Sequence, residues 1–108
     1  MADSWLFDVR TRLRRDGTAV VLVVGEVDLA TVESFRAALM PLSTNPQVRL
    51  VACDLSLVSF FGCDGVSALL RARSELETRG ARLRIDAASR VVRRTLSVTG
   101  VSDLMSTA

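Results

Sequence analysis

The side chains with the reach to do chemistry in this chain gather in two short segments. One is Gly62-Cys63-Asp64-Gly65, which follows an apolar strand ending in Asp54 and a short loop. A strand that passes through small residues into a helix exposes backbone N–H groups and the positive end of the helix dipole. That setting suits an anion or a partner's polar group. Asp64 already puts a carboxylate there. Two roles are open for it: favourable charge at a helix start, worth about 0.5–2 kcal/mol, or contact with a partner. Cys63 stands beside it, where a helix dipole favours thiolate chemistry; the competing reading is a small residue at a tight helix entry. The second segment is Gly25-Glu26-Val27-Asp28, whose acids either satisfy a turn and helix entry or face a partner.

Composition narrows the chemistry. Histidine and tyrosine are absent, which removes Ser-His and Cys-His catalysis and any His-ligated metal. Cys53 and Cys63, ten residues apart, make neither a zinc site nor a disulfide framework. A bond between them is not expected inside a cell, and Cys53 reads as a core residue. No metal, cofactor or enzyme activity is expected. All 14 basic residues are Arg, and the formal net charge is +2. Acids are spread among them without an aromatic platform, so the Arg faces read as solvated and no nucleic-acid partner is expected. The longest apolar run, Ala19–Val24, is too short to cross a bilayer. MADSWLFDVR lacks the basic start and apolar stretch of a secretion signal. A cytoplasmic protein forming one domain over residues 1–108 is the expectation.

These residues need a scaffold, and hydrophobic periodicity supplies one. Trp5, Phe7, Val9, Thr11 and Leu13 alternate with Leu6, Asp8, Arg10, Arg12 and Arg14, the period of a half-buried strand. Asp16-Gly17 marks a hairpin turn, and Ala19–Val24 predicts a strand buried on both faces. Gly25–Asp28 breaks it. A helix capped by Thr31 buries Val32, Phe35, Ala38 and Leu39 and ends before Pro41. After a loop at Leu42–Gln47, Val48–Leu55 predicts a third strand. A second helix runs over Asp64–Thr78, with Val66, Leu69, Leu70 and Leu76 at helical spacing and Gly80 as its stop. Ala81–Asp86 is a short strand. Ser89 caps a third helix that packs Val92, Leu96 and Val98 while Arg90, Arg93 and Arg94 face water. Gly100 ends it, and Ser102–Met105 adds a turn.

The order β-β-α-β-α-β-α predicts a mostly parallel sheet with right-handed crossovers after an antiparallel hairpin. Function gathers at the carboxyl ends of such strands, so the loops Gly25–Asp28, Ser56–Asp64 and Asp86–Ser89 are expected side by side. One of Phe60 and Phe61 belongs in the core; the other is a candidate apolar anchor.

The segments GEVDLATVESFRAAL from Gly25, VACDLSLVSFFGCDGVSALL from Val51 and SRVVRRTLSVTGVSDLM from Ser89 resemble the STAS domain. More closely, they are similar to bacterial anti-sigma factor antagonists. The resemblance implies an α/β STAS-type fold: a mostly parallel sheet of four or five strands, an N-terminal antiparallel hairpin and three to four helices. It implies a protein-interaction module that binds an anti-sigma factor, in this family a GHKL-type serine kinase, and so releases sigma. The family's helix opens Asp-Ser-Ser-Gly, and its second serine is phosphorylated to switch binding off. In this chain those positions are Gly62, Cys63, Asp64 and Gly65. Asp64 has no hydroxyl, so the serine switch is expected to be missing and a partial phosphoserine mimic stands in its place; a carboxylate carries one charge where phosphate carries about −1.5 to −2. The implied partner surface is Glu26, Asp28, Ser59, Phe61, Gly62, Cys63, Asp64 and Gly65. Two alternatives remain: a nucleotide-sensing STAS domain, and a soluble subunit of a transporter-associated assembly.

Overall fold

A computed structural model describes residues 7–105. The expected strand residue Trp5 lies outside the described residues. Four strands, β1 (Phe7–Leu13), β2 (Thr18–Val27), β3 (Leu50–Phe61) and β4 (Arg82–Ala88), form one sheet in the order β1-β2-β3-β4. β1 and β2 are the antiparallel hairpin; β2, β3 and β4 run parallel. Three helices, α1 (Val32–Thr44), α2 (Cys63–Glu77) and α3 (Arg90–Val98), alternate with the strands, and a short 3-10 turn follows at Ser102–Leu104.

Register aligns the apolar residues in rows across the sheet. Val21 lies beside Cys53, and Cys53 beside Ile85; Ala19, Val51 and Leu83 form the row below. Every residue of these rows is buried, in one cluster with Phe35 and Leu39 of α1, Leu69 and Leu76 of α2, and Val92 and Leu96 of α3. Burying each large side chain contributes roughly 1.5–3 kcal/mol before entropy is counted. The opposite face is different. Val20, Leu22 and Val24 are only half-buried, with Arg12 and Arg10 of β1 beside the first two and Arg84 of β4 in the row of Val20. β2 is therefore not buried on both faces. Its second apolar stripe is partly covered by arginine stems instead of a helix.

Four element ends depart from expectation, one of them β4, which runs on to Ala88 instead of ending at Asp86. α1 does not stop at Pro41 but continues through it to Thr44. Proline costs one intrahelical bond there, and Arg79 compensates at the helix end. Its guanidinium donates to the carbonyl oxygens of Leu42 (3.2 Å) and Ser43 (3.0 Å), acceptors a helix C-terminus leaves unsatisfied, and to that of Val48 in the loop beyond (2.8 Å). β2 does not break at Gly25 but pairs through to Val27. β3 does not end at Leu55: its pairing with β2 runs to Phe61, with register shifts that mark bulges. The Ser56–Phe61 loop is thus strand. Ser89 does cap α3, accepting a hydrogen bond from the Val92 N–H at 3.3 Å, but Val98 is 80% exposed instead of packed.

Candidate functional site

β3 outruns β4. Their last paired residues are Leu55 and Ala88, while β3 continues to Phe61 beside β2. The extension carries an extra residue, since Val58 and Phe60 face consecutive residues of β2, Gly25 and Glu26. Ser59 is that extra residue, and it is exposed. A bulge of this kind increases local twist and re-aims side chains. Val58 and Phe61 turn into the core, whereas Leu57 and Phe60 remain 58% and 48% exposed. Phe61, expected at the partner surface, is buried and packs edge-on against Phe35, ring centroids 6.1 Å apart. The exposed aromatic is Phe60.

Gly62 follows as the residue before α2, and its N–H donates to the Val27 carbonyl at 3.1 Å. That bond ties the α2 entry to the end of β2. The Phe60 ring lies over Gly62: a β-carbon there would stand 3.4 Å from the ring edge. Cys63 and Asp64 occupy the first turn of α2, both exposed. Asp64 is the acid of that first turn, where its charge opposes the helix dipole favourably. Gly65 is buried, and a β-carbon on it would stand 2.8 Å from the Phe61 ring and 3.0 Å from Val27. It is a packing residue and not a surface contact.

The acids at the end of β2 divide. Glu26 is exposed at the edge of the site, opposite Phe60 in register. Asp28 is half-buried and holds the turn into α1. Its Oδ1 accepts from the Ala30 and Thr31 N–H groups at 2.9 and 3.1 Å. Thr31 does not cap with its side chain; its hydroxyl accepts from the Asp28 N–H at 2.9 Å and donates to the Glu26 carbonyl at 2.6 Å. The turn thus presents Leu29, 80% exposed. Leu29 and Leu57 were not singled out as site residues. An apolar residue inside the Asp28–Thr31 turn was the available signal for Leu29; nothing local marked Leu57.

The third expected loop is set back. Ser89 follows the end of β4, but its N–H donates to the Leu55 carbonyl (3.2 Å) and its hydroxyl to the Val58 carbonyl (2.6 Å), upstream of Gly62. Instead, α3 reaches the end of β3 through the Thr95 hydroxyl, which donates to the Phe61 carbonyl at 2.9 Å. The surface brought together is Glu26, Leu29, Ser59, Phe60, Gly62, Cys63 and Asp64: apolar groups set among carboxylates. The two cysteines differ sharply. Cys63 is exposed, whereas burial, with a smaller contribution from the Asp86 charge, pushes the Cys53 thiol up to about 12. Among the described residues no cluster of His, Cys, Asp or Glu could hold a metal ion, and no helix is long and apolar enough to cross a membrane.

A parallel sheet opened by an antiparallel hairpin, with a small-residue helix entry at the end of its longest strand, defines an α/β domain of the STAS type. The STAS domain family model matches residues 10–108, and the chain belongs to that family. Its structure is similar to an anti-sigma factor antagonist from Mycobacterium paratuberculosis, with a TM-score of 0.81 at 25% identity over 97% of this chain and 86% of that one. It is also similar to the anti-sigma factor antagonist SpoIIAA in its unphosphorylated form, at a TM-score of 0.81 and 24% identity over 92% of this chain and 86% of that one. A third likeness, at a TM-score of 0.69 and 23% identity, is to the murine anion transporter Slc26a9; it covers 82% of this chain and 14% of the transporter. No curated protein is significantly similar to the chain in sequence.

Proposed function

We propose that this chain is an anti-sigma factor antagonist that acts by binding alone, as a single cytoplasmic unit, and lacks the serine-phosphorylation switch. The observation that carries this is Asp64 in the exposed first turn of α2, the position at which the resembled antagonists carry their phosphorylated serine. The likeness to the mycobacterial antagonist over nearly the whole chain supports the role. The docking surface is Glu26, Ser59, Gly62, Cys63 and Asp64, with Asp28 holding its edge and Phe60 and Leu29 as apolar anchors. The partner is an anti-sigma factor, of the GHKL serine-kinase type in the resembled family. Its mechanism is competition: occupancy of the anti-sigma factor by this surface excludes sigma. No bond is made or broken, and no metal or cofactor takes part.

The test compares wild type with Asp64→Ser and with a Glu26→Arg/Asp64→Arg double variant in affinity capture from the native cell. Wild type is expected to retain an anti-sigma factor, and the double variant to lose it while keeping its fold by circular dichroism. Asp64→Ser is expected to gain one phosphate by intact mass when incubated with that factor and ATP, if the factor is a kinase. Phosphate on wild-type α2, or undiminished capture by the double variant, would overturn the reading.

A further inference from the structure

The end of the sheet opposite the candidate site has the reverse electrostatic character. There the hairpin turn Arg14–Gly17 meets the loop that leads into β3 and encloses an open cleft of about 490 Å³, with Arg14, Arg15, Arg49, Asp16, Gly17 and Gln47 in its lining. The turn is held firmly. Arg14 N–H donates to the Thr18 carbonyl at 2.8 Å, and Gly17 N–H to the Arg14 carbonyl at 3.1 Å. Arg49 is locked to it by its own N–H, which donates to the Gly17 carbonyl at 2.8 Å. Gly17 has φ +90°, and a β-carbon there would stand 2.8 Å from Arg49 Cγ. Only a glycine lets the Arg49 stem lie across the turn. Its side chain lines the same cleft as those of Arg14 and Arg15.

None of these three guanidiniums forms an ion pair among the described residues; the four pairs there involve Arg10, Arg36, Arg73 and Arg84. The one carboxylate in the lining, Asp16, is directed at the backbone: its Oδ1 accepts from the Thr18 N–H at 2.9 Å. That hydrogen bond, more than the neighbouring Arg14 charge, holds its carboxyl below the usual range. Arg79 adds a fourth positive charge close by, since it lines a smaller hollow shared with Pro46 and Arg49. Like charges gathered on rigid backbone repel, and an anion relieves that repulsion. A guanidinium fork meets phosphate oxygens in bidentate fashion, and the cleft volume falls in the range of about 300–1,000 Å³ that small ligands occupy.

We propose that the Arg14–Arg15–Arg49 cleft is a binding site for a small diphosphate-bearing anion. A single phosphate carries about −1.5 to −2 charge against three guanidiniums, whereas two linked phosphoryl groups come closer to matching them. The site is independent of the anti-sigma surface at the other end of the strands, where the carboxylates of Glu26 and Asp64 repel such a ligand.

Titration of the full chain with inorganic pyrophosphate, followed by amide chemical shifts, tests this. Saturable shifts are expected at Gly17, Thr18 and Arg49, with a dissociation constant below about 1 mM that weakens as salt is raised. Arg15→Glu, an exposed turn substitution, is expected to weaken binding at least tenfold with unchanged spectra elsewhere. Arg90→Glu, on the outer face of α3, is expected to leave it within twofold. Shifts that fail to saturate, that fall on the first turn of α2, or that persist equally in Arg15→Glu would overturn the proposal. So would saturation by an oligoglutamate peptide where pyrophosphate fails, since the cleft would then be a protein-docking surface.

Discussion

Asp64 places an exposed carboxylate in the first turn of α2. Its charge therefore faces whatever approaches. The residue after it has the opposite duty. Gly65 lies so close to the Phe61 ring and Val27 that any side chain must displace core atoms. Gly65→Ala is expected to destabilise the fold by about 1–3 kcal/mol, as overpacked cores do, read as a lowered urea midpoint at unchanged slope. An unchanged midpoint would show that the ring moves aside freely. The neighbouring aromatics divide in the same manner: Phe61 is 2% exposed and Phe60 48%, because successive strand residues alternate sides and the extra residue Ser59 sets which of the two faces the core.

At the scale of elements, the overrun of β3 past β4 creates the site. Where β4 stops, α3 takes over the flank of β3, and Ser89 makes that exchange. Its hydroxyl accepts from Val92 N–H to cap α3 and donates to the Val58 carbonyl to hold the helix start against β3. Ser89→Ala loses the cap and leaves that carbonyl without its donor. A loss of about 1–2 kcal/mol is expected, with amide exchange accelerated in α3 ahead of α2. Uniform acceleration over the whole molecule would show that α3 does not open separately. α1 carries a parallel case: it passes through Pro41, and Arg79, more than thirty residues later, collects two of its terminal carbonyls.

For the whole molecule, a net charge of +2 conceals a separation along the strands. Glu26, Asp28 and Asp64 lie where β2 and β3 end; Arg14, Arg15, Arg49 and Arg82 lie where β1 ends and β3 and β4 begin. The proposed partner is expected to bring positive charge to Glu26 and Asp64. Association of the captured anti-sigma factor is expected to slow as salt rises, and the Glu26→Arg/Asp64→Arg pair to cut the association rate on the order of tenfold or more at low salt. Stopped-flow measurement over a range of ionic strength checks this. A rate indifferent to salt would leave the apolar anchors to carry recognition by themselves.

What the sequence determined by itself is the part governed by neighbours along the chain. The alternation in β1, the Asp16-Gly17 turn, the Ser89 cap and the glycine stops follow from backbone preferences and two simple periods, and they made the element order legible. The carboxylate of Asp64 was also plain from the sequence; its standing at the family's phosphoacceptor position is what the resemblance implies. Tertiary structure decided what depends on distant partners. Pro41 reads as a stop while the helix in fact continues to Thr44, where Arg79 takes its last carbonyls; Phe60 and Phe61 are indistinguishable until the bulge assigns their sides, and Asp86–Ser89 joins or leaves the site according to where β4 ends. The Gly62–Asp64 entry gains its function only in that setting: the sequence supplies its charge, and its apolar surroundings come from a strand that continues beyond its neighbour.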